Sequence, residues 1–276
     1  MKSLFVFLLA FVTSITFAQK SFQGKATYMS KTTMDMSRFG KMTEQQKKQR
    51  MQRMKSFLEK TYTLTFNKTA SSFKEEVKLE APGASGPSWG RSNGQGSIYK
   101  NTKDQVMIED VEQFSKRFLI TENMEQAQWE LGMDTKKIGQ YTCYKATLVK
   151  EDTNIDWGSI FSRRGSAKKD STKTKDIKPA KKMLSITAWY TPQIPVSTGP
   201  DKYYGLPGLI LEINAGRTTM LCTEVAISSK EVLEIAAPDK GKEVSRDEYN
   251  KIIKVKTEEL KARFQNRGGR GGRGRN

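Results

Sequence analysis

The chain has 276 residues, with 48 Lys and Arg against 30 Asp and Glu, a formal charge of +18, no histidine and two cysteines. Without an imidazole there is no Ser-His-Asp or Cys-His nucleophile system, no His-ligated zinc and no H-E-x-x-H peptidase, and two cysteines are too few for a Cys₄ zinc or iron–sulfur site. An apolar fraction of 36% is still enough to bury the core of one large domain.

Residues 1–18 read as a secretory signal. Lys2 supplies the positive end, Leu4 to Val12 the apolar stretch, and Thr16-Phe17-Ala18 a small-residue cleavage site before Gln19. The apolar run is too short to span a bilayer, which takes roughly 20 apolar residues, and Thr13, Ser14 and Thr16 interrupt it. Cleavage removes Lys2 and takes the formal charge from +18 to +17. The remainder carries no apolar run long enough to cross a membrane, so an exported protein of the periplasm or outer-membrane surface is expected.

The mature chain begins with a predicted strand over Phe22 to Met36, then a helix. Thr43 is a suitable N-cap with Gln46 three residues on, and Met51, Met54, Phe57 and Leu58 fall at helical spacing. The other helix face carries Lys47, Lys48, Arg50, Arg53 and Lys55, a solvated face or a contact for an anionic surface. From Thr61 the period switches to two, with Tyr62, Leu64 and Phe66 on one side and threonines on the other, the pattern of a half-buried strand. Residues 81–96 hold five glycines and two prolines and read as a loop.

Short candidate strands follow at 97–100, 105–109, 117–121, 127–132, 139–149, 183–191, 208–213, 218–227 and 231–236, with Asn214-Ala215-Gly216 as a turn. No long helical pattern interrupts them. The predicted fold is therefore mainly β: one large curved antiparallel sheet, with a helix near the N-terminus and another at the C-terminus. The β domain occupies residues 19–244, and residues 150–182 form a basic insert within it. Ser245 caps a C-terminal helix over 245–266, with Glu248 at the third position, and Arg267 to Asn276 is a Gly/Arg tail expected to be disordered. Cys143 and Cys222 lie on two predicted strands; in an oxidising compartment they are a candidate disulfide, the alternative being two buried free thiols.

The most distinctive stretch is Ala188 to Ile213. A strand ends at Pro192, which lacks the N–H a ladder needs, and Pro195 and Pro200 keep the chain extended or turning. Gly205-Leu206-Pro207-Gly208 makes a tight turn, with Pro207 and Gly208 suited to the centre of type II. Leu209-Ile210-Leu211 is a continuous apolar run, so its strand is buried on both faces or covered by a helix. This stretch resembles the GLPGLI family of exported Bacteroidetes proteins, named for the hexapeptide that stands here as Gly205 to Ile210. The likeness extends to Trp189-Tyr190-Thr191-Pro192, Ile194-Pro195, Gly199-Pro200 and Lys137 to Ala146. It covers roughly residues 24–238 and implies a signal peptide and an envelope location, but no biochemical activity. The basic insert and the Gly/Arg tail depart from the family's compact form.

The hexapeptide holds no group that moves protons or electrons. Asp201, Tyr203, Tyr204 and Glu212 are the nearby candidates, and Glu212, inside an apolar strand, needs a Lys or Arg partner if it is not turned to solvent. Residues Trp189, Tyr190, Pro192, Pro195, Gly199, Pro200, Gly205, Leu206, Pro207, Gly208, Leu209 and Ile210 therefore form a structural loop or a binding loop, with no catalytic residue, cofactor or metal. Four functions compete. A non-catalytic carrier would hold an apolar small molecule in a cavity lined by Trp89, Trp129, Trp157 and Trp189. An accessory protein would meet an outer-membrane protein or an anionic envelope surface through its charge. Nucleic-acid binding through the tail conflicts with export. An enzyme working by paired carboxylates has no pair to point to.

Overall fold

The computed structural model describes residues 22–34, 42–76, 95–151, 183–228 and 233–268. The expected signal at 1–18, almost all of the loop at 81–96, all but the first two residues of the basic insert, and residues 269–276 of the tail lie outside these. Twelve strands form one sheet: β1 (Gln23–Thr32), β2 (Glu59–Asn67), β3 (Ala70–Glu75), β4 (Gln95–Asn101), β5 (Val106–Gln113), β6 (Lys116–Asn123), β7 (Glu130–Ile138), β8 (Tyr141–Glu151), β9 (Met183–Thr191), β10 (Leu209–Ala215), β11 (Thr218–Ser228) and β12 (Lys242–Val244). Their order is β12-β6-β5-β4-β3-β2-β1-β11-β10-β9-β8-β7. Every pairing is antiparallel except β12 on β6. Among the described residues two helices, α1 (Glu44–Leu58) and α2 (Arg246–Gly268), complete the mainly β fold.

Hairpins built from short alternating segments explain most of the order. In β2 the residues Tyr62, Leu64 and Phe66 are buried while the threonines between them are half-exposed, because β-branched and aromatic side chains suit a half-buried pleat. Opposite them on β1 stand Tyr28 and Ala26, both wholly buried. The expected 214–216 turn joins β10 to β11, with Gly216 at φ +61° and Asn214 accepting from the Thr219 hydroxyl at 2.7 Å. The predicted first strand is shorter than expected and ends at Thr32. Residues 233–236, expected in a strand, carry no regular structure.

The sequence pattern stops β7 at residue 132, but the strand runs on to Ile138. Gly132, Asp134, Lys136 and Lys137 hide it from a hydropathy reading, because an edge strand faces water along most of its length.

Both helices are capped as expected. Gln46 N–H donates to the Thr43 hydroxyl at 3.2 Å, and Thr43 N–H to the Gln46 side-chain oxygen at 3.0 Å. The same reciprocal pair joins Ser245 and Glu248 at the start of α2. The apolar residues of α1 do not form a buried stripe, since Met51 and Phe57 are exposed and only Lys47, Met54 and Leu58 are partly covered. Helix α2 docks Tyr249 and Ile253 on Phe118, Ile120 and Val244, with the Tyr249 ring edge-on to Phe118.

Candidate functional site

Residues 192–208, between β9 and β10, hold the first four residues of the hexapeptide, and Leu209 and Ile210 open β10. Strand β9 ends at Thr191, where the proline requires it to. The loop then turns through main-chain bonds two residues apart: Val196 N–H to Ile194 O at 2.8 Å, Thr198 to Val196 at 2.9 Å, and Gly208 to Leu206 at 2.8 Å. The last of these corrects the expected type II turn. Pro207 is the centre of a three-residue turn, and the Leu209 amide, free for a type II bond, donates to Ile194 O at 3.0 Å.

This route folds the loop against the start of β10. Leu209, Ile210 and Leu211 are all buried, so both faces of that strand are covered, as the apolar run implied. The loop itself provides the cover. Ile194 and Val196 pack in the cluster that includes Leu209, Leu211, Tyr28 and Phe73, whereas Tyr203 and Leu206 pack with Ile210, Ile186 and Ala188. Of the other singled-out residues, Tyr190, Gly199, Pro200 and Gly208 are buried, while Pro192, Pro195, Gly205 and Pro207 face solvent.

Polar anchors hold the loop from several strands. Lys100 on β4 is wholly buried, and its ammonium donates to the carbonyl oxygens of Gly199 at 2.6 Å, Asp201 at 2.8 Å and Tyr203 at 3.2 Å. Burial lowers its pKa to about 7, against a smaller opposing pull from Asp201. The Ser71 and Thr198 hydroxyls lie 2.8 Å apart, Tyr28 donates to Ile210 O at 2.7 Å, and Trp129 Nε1 to Tyr204 O at 2.8 Å. On the far side Lys202 meets Glu109 at 2.6 Å, and Glu109 also bonds Arg246 at the start of α2. Burial alone would raise the Glu109 carboxyl, but Lys202 and Arg246 together hold it below the ordinary carboxylate range.

Glu212 has the cationic partner its strand demands: Lys136 Nζ lies 2.7 Å from its carboxylate and 4.4 Å from the centre of the Trp189 ring. Cys143 and Cys222 are free thiols. The cross-strand bridge considered for them is not formed in this structure. Both thiols instead pack in the larger core cluster.

The chemistry available here is that of a fastener. Lys100 is sealed from solvent and saturated with three acceptors, and Glu109 is held between two cations. Sequence reasoning missed both, along with Ser71 and Arg246. One signal was present: Lys100 shares its strand face with the buried Ile98, where a solvated lysine does not belong. The crease between the 67–71 turn and residues 196–198 has about 10 Å³ of room, enough for a single water. Among the described residues, no three His, Cys, Asp or Glu side chains are placed to hold a metal, and no helix is long and apolar enough to cross a membrane.

Residues 129–212 match a family model described as a protein of unknown function (Porph_ging). No curated protein matches the chain. Among solved structures, PNGF-II in a C2 crystal form shares 13% identity at a TM-score of 0.48, and PNGF-II in a P21 form 14% at 0.49. Each alignment covers 84% of this chain and 33% of the other, so the chain spans about a third of the length of those structures.

Proposed function

We propose that this chain is an exported, non-catalytic interaction protein of the cell envelope, one that meets its partners at its surface and carries no apolar ligand inside. Export rests on the charged, apolar and small-residue order of residues 1–18, and the envelope assignment on the GLPGLI-type motifs within the segment that matches a family of unknown function. One observation carries the choice between carrier and interaction protein. Ile194 and Val196 of the 192–208 loop occupy the apolar core beside β10, where a carried ligand would otherwise sit. Thr198 and Lys202 of that loop are likewise bonded inward, to Ser71 and Glu109.

The remaining chemistry is on the outside. A charge of +17 after cleavage, following from +18 with Lys2 removed, favours phosphate-bearing or acidic partners. Native mass spectrometry of the protein purified from its own envelope tests the reading. A co-purifying subunit, or binding to anionic vesicles that several hundred millimolar salt abolishes, is the expected result. A stoichiometric retained lipid would replace it with the carrier reading, and turnover of any substrate by the pure protein would end the non-catalytic part.

A further inference from the structure

Strand β7 ends the sheet and pairs only with β8 among the described residues. The opposite end is closed differently: β12 has three residues, and α2 packs beside it through Tyr249 and Ile253. One long edge is therefore open. It also carries the most exposed apolar side chain among the described residues, Met133 at 99%, with Leu131 at 61%. A bulge interrupts the ladder here while Gly132 stays against Lys145, since Leu131 faces Ala146 and Thr135 faces Tyr144, four residues of β7 against two of β8.

Charge along the strand is polarised. Glu130 and Asp134 lie in its first part and Lys136 and Lys137 in its last. Asp134 is bonded to Lys145 on β8 at 2.8 Å and Lys136 to Glu212 on β10 at 2.7 Å, so both pairings run inward from the edge. An antiparallel partner with the same sequence, related by a two-fold axis at Met133, meets this pattern with its complement. Glu130 of one copy falls opposite Lys136 of the other, which would share its ammonium between that carboxylate and its own Glu212, Leu131 falls opposite Thr135, and the two Met133 side chains face each other on the axis. A parallel copy would set like charges together instead.

The geometry points to self-association through β7: a second copy of this chain adds its own β7 antiparallel to the first, making one continuous sheet across a two-fold axis. Such a pair consumes both open edges, so it closes at two copies and does not grow into a fibre. One strand on one strand is at the small end of interface sizes, which implies a weak dimer with a dissociation constant on the order of 10–100 µM.

Sedimentation velocity on the pure mature chain, from about 1 µM to about 500 µM, is the test, the range bracketing that constant. The expected result is a reversible shift from the monomer mass to twice that mass. Met133→Lys should weaken the association at least tenfold by placing two like charges on the axis, and Glu130→Lys should weaken it too, with thermal unfolding of the monomer unchanged in both. Met183→Lys, at an exposed position of β9, should dimerise as the parent does. A monomer at every concentration overturns the proposal, as does a dimer that Met133→Lys leaves intact or one that Met183→Lys also abolishes. The measurement uses purified protein alone, so its failure leaves the envelope reading to be decided by its own experiment.

Discussion

The ammonium of Lys100 lies 2.6 Å from the carbonyl oxygen of Gly199 with no access to solvent, the shortest of three bonds that tie the 192–208 loop to β4. A lysine used in this way shapes how the fold responds to pH. In the unfolded chain it holds its proton to about pH 10.4, whereas burial brings the folded value down to about 7. Between those limits the unfolded state binds more protons, so this group makes stability rise with pH, at up to about 1.4 kcal/mol per pH unit. Buried tyrosines and thiols with raised values act the other way at the alkaline end, so the comparison must be made against a variant. The difference in guanidinium unfolding free energy between the parent and Lys100→Met should grow in the parent's favour from pH 7 to pH 10. A flat difference curve would mean that Lys100 is charged throughout.

Two glycines of the hexapeptide are needed for different reasons, and alanine distinguishes them. At Gly208 a Cβ would stand 2.2 Å from the carbonyl oxygen of Thr191 and 2.5 Å from its carbon, both backbone atoms that cannot step aside without breaking the β9–β10 junction. At Gly205 the nearest atom is 3.7 Å away, and only the φ of +93° is unfavourable to a side chain. Gly205→Ala should therefore cost about 1–2 kcal/mol. Gly208→Ala should exceed about 4 kcal/mol, the range reserved for severe packing faults. Thermal unfolding separates these readily, at roughly 2–4 °C per kcal/mol for a domain of this size.

Much of the fold was legible because its strands obey the simplest rule of the pleat. Tyr62, Leu64 and Phe66 announce β2, and Pro192 announces the end of β9. The strand at 209–211 declares itself buried on both faces, though the sequence could not show that a loop of its own chain does the covering. What escaped was long-range or averaged out. The register joining Lys100 to residue 199 spans 99 positions and leaves no local trace beyond a lysine on an apolar face. Strand β7 reads as polar because water touches most of it, and the helical spacing of Met51 and Phe57 promised a buried stripe where α1 instead stands largely in solvent. The loop motif itself was easy to find, while its role depended on partners from β1, β3, β4 and β5.

Glu109 joins the loop to α2 by holding Lys202 and Arg246 at once. Its folded pKa is below the ordinary carboxylate value, so its contribution is fully present above about pH 4.3 and is lost as pH falls through the folded value. Glu109→Gln keeps the shape but leaves the half-buried Lys202 without its carboxylate, while Arg246 keeps Glu122, a loss of about 1.5–3 kcal/mol near neutral pH. The variant should also lose part of the parent's acid sensitivity, so the two unfolding curves converge as pH approaches 3. Curves that stay parallel from pH 7 to pH 3 would show that folding leaves the Glu109 pKa unchanged.

Cys143 and Cys222 are free thiols in one core cluster, and their redox state can be measured directly. Burial pushes the first thiol up to about 11 and the second up to about 12, so neither presents a thiolate at neutral pH. Both are free thiols in the structure. The native protein, isolated without reductant, should therefore react negligibly with a thiol reagent at pH 8 and release two equivalents once unfolded in guanidinium. Its intact mass should match the fully reduced chain. A mass lower by about two hydrogens, with no titratable thiol after unfolding, would show instead that the two thiols are joined in the native protein.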